Sequence, residues 1–254
     1  MRSSPSPARA LGAALVVAAA CGPLPLGAAA AARGPLPLAA AAPARHRLAA
    51  PPAPGARGGG HDPCTRPPFL TPFEGRLVLR AAYRGAASSE FRFCPRYSGF
   101  GPVRAGRFHG GVDLAAPTGT PLRAAVDGTL SYARDPDGYG LYARLAFAEP
   151  RRKASGQCEG FDELELVYGH LVDDDPGLDL SPRPVRAGEF LGRVGCSGNA
   201  RGMCSPSPES HVHVTLKRAG RTRLEPLSVL GWSVITPSDE DRPAGWAGCA
   251  HAGL

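Results

Sequence analysis

The chain has 254 residues, with 29 Lys and Arg against 22 Asp and Glu, a formal net charge of +7. The excess lies at the front, where Arg2, Arg9, Arg33, Arg45, Arg47 and Arg57 share the first sixty positions with no acidic residue. The rest holds 23 basic and 22 acidic side chains, a near-neutral balance that gives no support to nucleic-acid binding.

Arg2 and Arg9 precede the apolar run Ala10 to Ala20, and small residues follow, so residues 1–30 read as a secretory signal peptide. That run is too short and too rich in alanine to span a membrane, and no second apolar stretch of spanning length occurs. Cys21 follows Ala18-Ala19-Ala20 without the leucine that a bacterial lipoprotein normally carries three positions earlier, so lipid anchoring is the lesser reading. Residues 31–62, dominated by Ala, Pro and Gly, cannot build a core and read as a leader or linker. About 190 residues remain, enough for one domain over residues 63–232 and a Pro-, Gly- and charge-rich tail over 233–254.

Short apolar or alternating runs recur along this domain. They are Arg76 to Tyr83, Val112 to Ala115, Pro121 to Ala125, Thr129 to Ala133, Tyr142 to Phe147, Glu163 to Tyr168, Phe190 to Val194, Val212 to Lys217 and Thr222 to Leu224. Turn signals such as Asp127-Gly128, Pro136-Asp137-Gly138 and Ala219-Gly220 separate them, and helical periodicity is scarce. The pattern predicts an all-β domain of antiparallel sheets.

Cys64, Cys94, Cys158, Cys196, Cys204 and Cys249 are even in number behind an export signal, which favours disulfides over a cysteine metal site. Proximity in sequence suggests Cys196 with Cys204 and Cys64 with Cys94, leaving Cys158 with Cys249. The tail is tied back only if Cys249 is bonded.

His211-Val212-His213-Val214 reads as a strand, because valine favours extended backbone and alternate side chains share a face. The two imidazoles then project together while the valines turn to a core. His109-Gly110-Gly111-Val112-Asp113 and Tyr168-Gly169-His170 supply further candidates. A hydrolytic zinc site needs three protein ligands and one open position. His109, Asp113 and one of His211 and His213 fill such a site, leaving the other histidine and His170 for proton transfer. His46, His61 and His251 sit in the leader or tail and are given no site role. Arg107 reads as a surface arginine, with a substrate carboxylate as the lesser assignment, and Tyr168 as a packing residue beside Tyr139.

Arg107-Phe108-His109-Gly110-Gly111-Val112-Asp113-Leu114-Ala115-Ala116-Pro117-Thr118-Gly119-Thr120-Pro121 carries a resemblance, together with Phe100-Gly101, Ala124 to Thr129, Gly138-Tyr139-Gly140, Tyr168 to Leu171, Ala187 to Gly192 and His211 to Val214. In order and spacing these residues resemble the lysostaphin- and LytM-like zinc metallopeptidases, peptidase family M twenty-three, over roughly Phe91 to Trp232. The resemblance implies a narrow groove between β-sheets, zinc on His109, Asp113 and His213, and catalytic roles for His170 and His211. It implies peptidoglycan peptides as substrate, a bacterial envelope location, secreted or periplasmic, and a monomer. The sequence departs from the family pattern where Ser205 to Ser210 replaces the usual glycine before the histidine pair and Val212 replaces leucine between them; the loop before the pair also carries two cysteines, and Glu149 to Asp162 reads as an insertion in a hairpin. Competing readings are a non-catalytic exported module that binds wall or activates another hydrolase, and a peptidase of glycine-rich proteins.

Overall fold

The computed structural model describes residues 64–84, 89–104, 106–218 and 222–249. The signal and leader segments, with Cys21, His46 and His61, lie outside the described residues, as does His251. Five short strands open the described chain: β1 (Leu77–Val78), β2 (Ala82–Arg84), β3 (Phe91–Phe93), β4 (Gly101–Arg104) and β5 (Arg107–His109). There follow β6 (Val112–Ala115), β7 (Pro121–Arg123), β8 (Gly128–Asp135), β9 (Gly140–Arg152), β10 (Cys158–Gly169), β11 (Arg183–Val185) and β12 (Phe190–Arg193). The last elements are β13 (His211–Arg218), β14 (Arg223–Leu224), a single-turn helix α1 (Pro226–Leu230), β15 (Val234–Ile235) and β16 (Ala247–Gly248).

The main sheet has seven strands, ordered β11-β8-β9-β10-β13-β14, with β6 beside β13. Strand β13 has three partners in it. It pairs with β10 along one side, and on the other its first half pairs with β6 and its second half with β14. All these pairings are antiparallel, in agreement with the all-β expectation.

Alternation explains the long strands. In β10 the apolar Leu164 and Leu166 are buried while Glu163 and Glu165 face outward. Register then aligns leucines across the sheet: Leu130 opposes Leu145, Leu145 opposes Leu166, Leu166 opposes Leu216, and Leu216 opposes Leu224. The first four are fully buried. Leu122 of β7 and Leu191 of β12, from a separate two-stranded sheet, join the same core cluster. The sequence insertion is the far end of the β9–β10 hairpin, where Glu149 opposes Asp162.

Two pairings are parallel, β1 with β15 and β16 with β3, and both join an early segment to a late one. Residues expected to form a tail therefore supply strands, and Cys249 is bonded to Cys94. This corrects two expected disulfides. The bonds are Cys64–Cys158, Cys94–Cys249 and Cys196–Cys204, and only the last follows proximity in sequence. The reason is the path of the chain. Residues after Cys64 run along the β9–β10 hairpin, where Arg66 pairs with Glu149 at 2.6 Å, while Cys94 follows β3 and meets the segment after β16. Among the described residues no helix is long and apolar enough to cross a membrane.

Non-reducing peptide mapping of the oxidised protein should recover these three cystine-linked pairs; a Cys64–Cys94 peptide would contradict the path described. Leu166→Ala removes the middle of the leucine row and should lower unfolding free energy by about 2–5 kcal/mol in urea titration.

Candidate metal centre

The β6–β13 register builds the centre. His213 opposes Asp113 and His211 opposes Ala115, so one ladder sets a carboxylate against an imidazole across two neighbouring strands. His109 ends β5, and Gly110-Gly111 turn the chain into β6. Asp113 Oδ1 lies 2.8 Å from His213 Nδ1 and 3.2 Å from His109 Nε2, and the two ring nitrogens are 3.1 Å apart. Zinc bonds its nitrogen and oxygen ligands at about 2.0–2.2 Å, so donors around a tetrahedral ion sit about 3.3 Å from each other. The triangle of His109, Asp113 and His213 is near that size, and two imidazoles with one carboxylate is a zinc donor set. These residues are the cluster able to hold a metal among the described residues.

Each ring is oriented by its second nitrogen. His109 Nδ1 lies 2.9 Å from the Gly99 carbonyl, His170 Nδ1 3.0 Å from that of Ser197, and His211 Nδ1 2.7 Å from that of Glu209. A carbonyl only accepts, so each Nδ1 carries the proton and donates, and each neutral ring keeps its lone pair on Nε2. His213 is held the other way round: its Nε2 lies 2.9 Å from Thr215 Oγ1, leaving Nδ1 for the carboxylate side. Gly111 makes room for this contact. A Cβ there would stand 2.7 Å from both His213 Nε2 and Thr215 Oγ1.

His170 and His211 close the other side, with ring centres 5.0 Å apart and His170 6.0 Å from His213. His170 has a φ of 63°, left-handed and strained for a residue with a side chain. Its backbone is pinned by the Tyr139 carbonyl at 2.7 Å and by the Gly195 amide at 2.8 Å. Gly140 (φ 66°) lets the chains close here, since a Cβ would meet the Ser197 carbonyl carbon at 2.4 Å.

Burial dominates the electrostatics. It pushes His170 down to about 4, with the neighbouring His213 adding to the fall, and it holds His211 well below the ordinary imidazole range, helped by the Arg80 charge. Burial also lowers His213 despite Asp113. Burial opposes charge on His109 too, but the Asp113 carboxylate outweighs it and raises that group. For Asp113 burial favours the acid form, and the Arg80 guanidinium, with His211 and His109, overcomes it and holds the carboxyl well below its usual range.

The structure thus brings together all five residues singled out from the sequence. It sets Arg107 outside, exposed on β5, and buries Tyr168 completely. Sequence reasoning missed the supports. Arg80 is 4% exposed and pairs with Asp113 Oδ2 at 2.7 Å. The signal was a lone charge in the apolar run Leu77-Val78-Leu79-Arg80-Ala81-Ala82. Thr215 could be found by alternation, two residues beyond His213. Tyr139 stands 5.3 Å from the His213 ring, its hydroxyl 3.3 Å from Thr215 Oγ1.

On a β-sheet domain, this His-x-x-x-Asp and His-x-His arrangement offers a donor set of the kind a metallopeptidase uses. Residues 107–226, a little under half of the chain, match the model of Peptidase family M23, a family of zinc peptidases. The chain is 32% identical over 123 residues to the DD-carboxypeptidase/endopeptidase Mpg of Neisseria meningitidis serogroup B, a match covering 48% of this chain and 23% of that protein. An uncharacterized protein of Mycobacterium tuberculosis is 35% identical over 102 residues, 40% of this chain and 21% of its own length. The chain therefore spans about a quarter or less of the curated relatives it matches. Among solved structures, the catalytic domain of lysostaphin from Staphylococcus simulans is 23% identical, with a TM-score of 0.38 over 52% of this chain and 89% of that one. The catalytic domain of the prophage-encoded M23 protein EnpA from Enterococcus faecalis is 26% identical, with a TM-score of 0.37 over 58% and 95%.

Thr215→Val deletes the partner of His213 Nε2 while keeping the side chain's shape. Zinc affinity should fall about 10–100-fold, as for other outer partners of metal ligands. Competition against a chromophoric chelator measures it, and unchanged affinity would mean that the Thr215 contact does not orient His213.

Proposed function

We propose that this chain is an exported zinc metallo-endopeptidase that hydrolyses peptide bonds in the stem or cross-link peptides of peptidoglycan. The observation that carries this reading is the convergence of three donor side chains with two further imidazoles whose Nε2 lone pairs are fixed by backbone carbonyls. His109, Asp113 and His213 would hold the zinc. When bound, zinc would polarise the scissile carbonyl and lower the pKa of its water toward about 7.

His170 and His211 do the rest. Both are neutral at pH 7, because burial holds them low. Neutral Nε2 accepts the proton of the attacking water, and the resulting N–H serves the developing oxyanion or the leaving amine. No glutamate of a His-Glu-x-x-His helix is present, so this duty falls to histidine. The wall substrate is supported by the match to the M23 family and by the DD-carboxypeptidase/endopeptidase named in Neisseria meningitidis. Export is supported by three disulfides among the described residues, a chemistry of oxidising compartments. A non-catalytic wall-binding module would not need the complete donor set, and that set is intact.

Zinc content and peptidoglycan hydrolysis, measured on the same preparations, test this. A chelator should abolish activity and one equivalent of zinc should restore it. His213→Ala should lose metal and activity together. His211→Ala and His170→Ala should keep zinc and lose about 10²–10⁴-fold in rate. Their double variant should be little worse than either, because residues acting as a unit are not additive. Full activity in zinc-free protein would overturn the reading. If His211→Ala empties the site while His213→Ala does not, the two roles are exchanged.

A further inference from the structure

The two oxygens of the Asp113 carboxylate have different partners. Oδ1 faces His213 Nδ1 and His109 Nε2, at 2.8 and 3.2 Å. Oδ2 accepts from Arg80 Nη2 at 2.7 Å, and the Tyr83 hydroxyl lies 3.3 Å from it, sharing its one proton between Oδ2 and the Tyr97 carbonyl at 2.9 Å. The whole group is buried, Asp113 being 3% exposed. A carboxylate beside a divalent ion can bind through one oxygen or both. Taking both would use the position that a hydrolytic zinc site must leave for water.

Arg80 is itself firmly held. Its guanidinium carbon lies 4.0 Å above the Tyr83 ring, and Nη1 lies 3.5 Å from Met203 Sδ. Its amide donates to the Asp113 carbonyl at 3.0 Å, and its own carbonyl accepts from Ser98 Oγ at 2.6 Å. Main chain and side chain thus dock on the same residue. Moving Oδ2 toward the ligand cluster would break a charge-assisted hydrogen bond in a dry site and strand a buried guanidinium.

We infer that Arg80, with Tyr83, is a positioning residue that keeps Asp113 a one-oxygen ligand and so keeps the fourth zinc position open. The inference rests on the metal-site reading above. It adds that residues outside the family-matched stretch 107–226 determine the coordination number.

The test is the visible spectrum of the full chain loaded with cobalt(II) in place of zinc, compared at equal bound metal. Wild type should show the intense bands of four-coordinate cobalt. Arg80→Met should lose most of that intensity as the freed oxygen joins the metal. Arg80→Lys, which keeps a cation there, should retain it, and Tyr83→Phe should shift part of the way toward Arg80→Met. Peptidoglycan hydrolysis should follow the intensity. A wild-type spectrum in folded, cobalt-loaded Arg80→Met overturns the inference. Where Arg80→Met does not fold, Tyr83→Phe decides: weakened bands support the inference and unchanged bands overturn it. Wild type that takes up no cobalt overturns the metal-site reading instead, and this inference with it.

Discussion

The carboxylate of Asp113 is a negative charge almost wholly removed from water, and much of the molecule is arranged around it. Burying an uncompensated ion costs several kcal/mol even after relaxation. Here Arg80 supplies an opposite charge on one oxygen, while the other faces ring nitrogens of His109 and His213. The partners come from far apart in the chain, on the segment after β1, on β5 and on β13. Such a group is worth its cost where something must bind, and a divalent cation is the natural counterpart of a buried carboxylate flanked by neutral imidazoles. With the ion present, the local balance becomes attractive on both sides of Asp113.

The site draws its precision from regular structure. Two strands in fixed register place Asp113 and His213, and the same pleat places His211 and Thr215 on the same side. The valines between them turn to the core and are fully buried. A slip of one residue would send both histidines into the core and both valines to the metal, a strong penalty against misregister. Only His170 departs from regular backbone. Its left-handed conformation aims the ring back over the strands, and backbone hydrogen bonds on both sides hold it there.

Much of this was legible in the residues. Alternation marks β9, β10 and β13 without ambiguity, and the histidine pair is self-announcing because strand geometry puts both rings on one face. What was not legible is the part built by pairing across long separations. The parallel pairs β1–β15 and β3–β16 involve strands of two or three residues, too short for any periodicity. Cys64 and Cys94 are near in sequence, yet one follows the hairpin and the other meets the end of the described chain, so proximity misled. Arg80 carried a readable signal, a charge in an apolar run, but a charge alone does not name its partner.

The disulfides also give the domain an unusual sense of what is a part. The stretch that matches the M23 family model is not the unit that can be cut free. A chain trimmed to residues 107–226 keeps Cys196 with Cys204 but leaves Cys158 without Cys64, a lone thiol on the long hairpin. The same cut takes away Arg80 and the Gly99 carbonyl that orients His109. Modularity in sequence and modularity in matter diverge here. The transferable piece carries the donor atoms, and the pieces on either side keep them in working order.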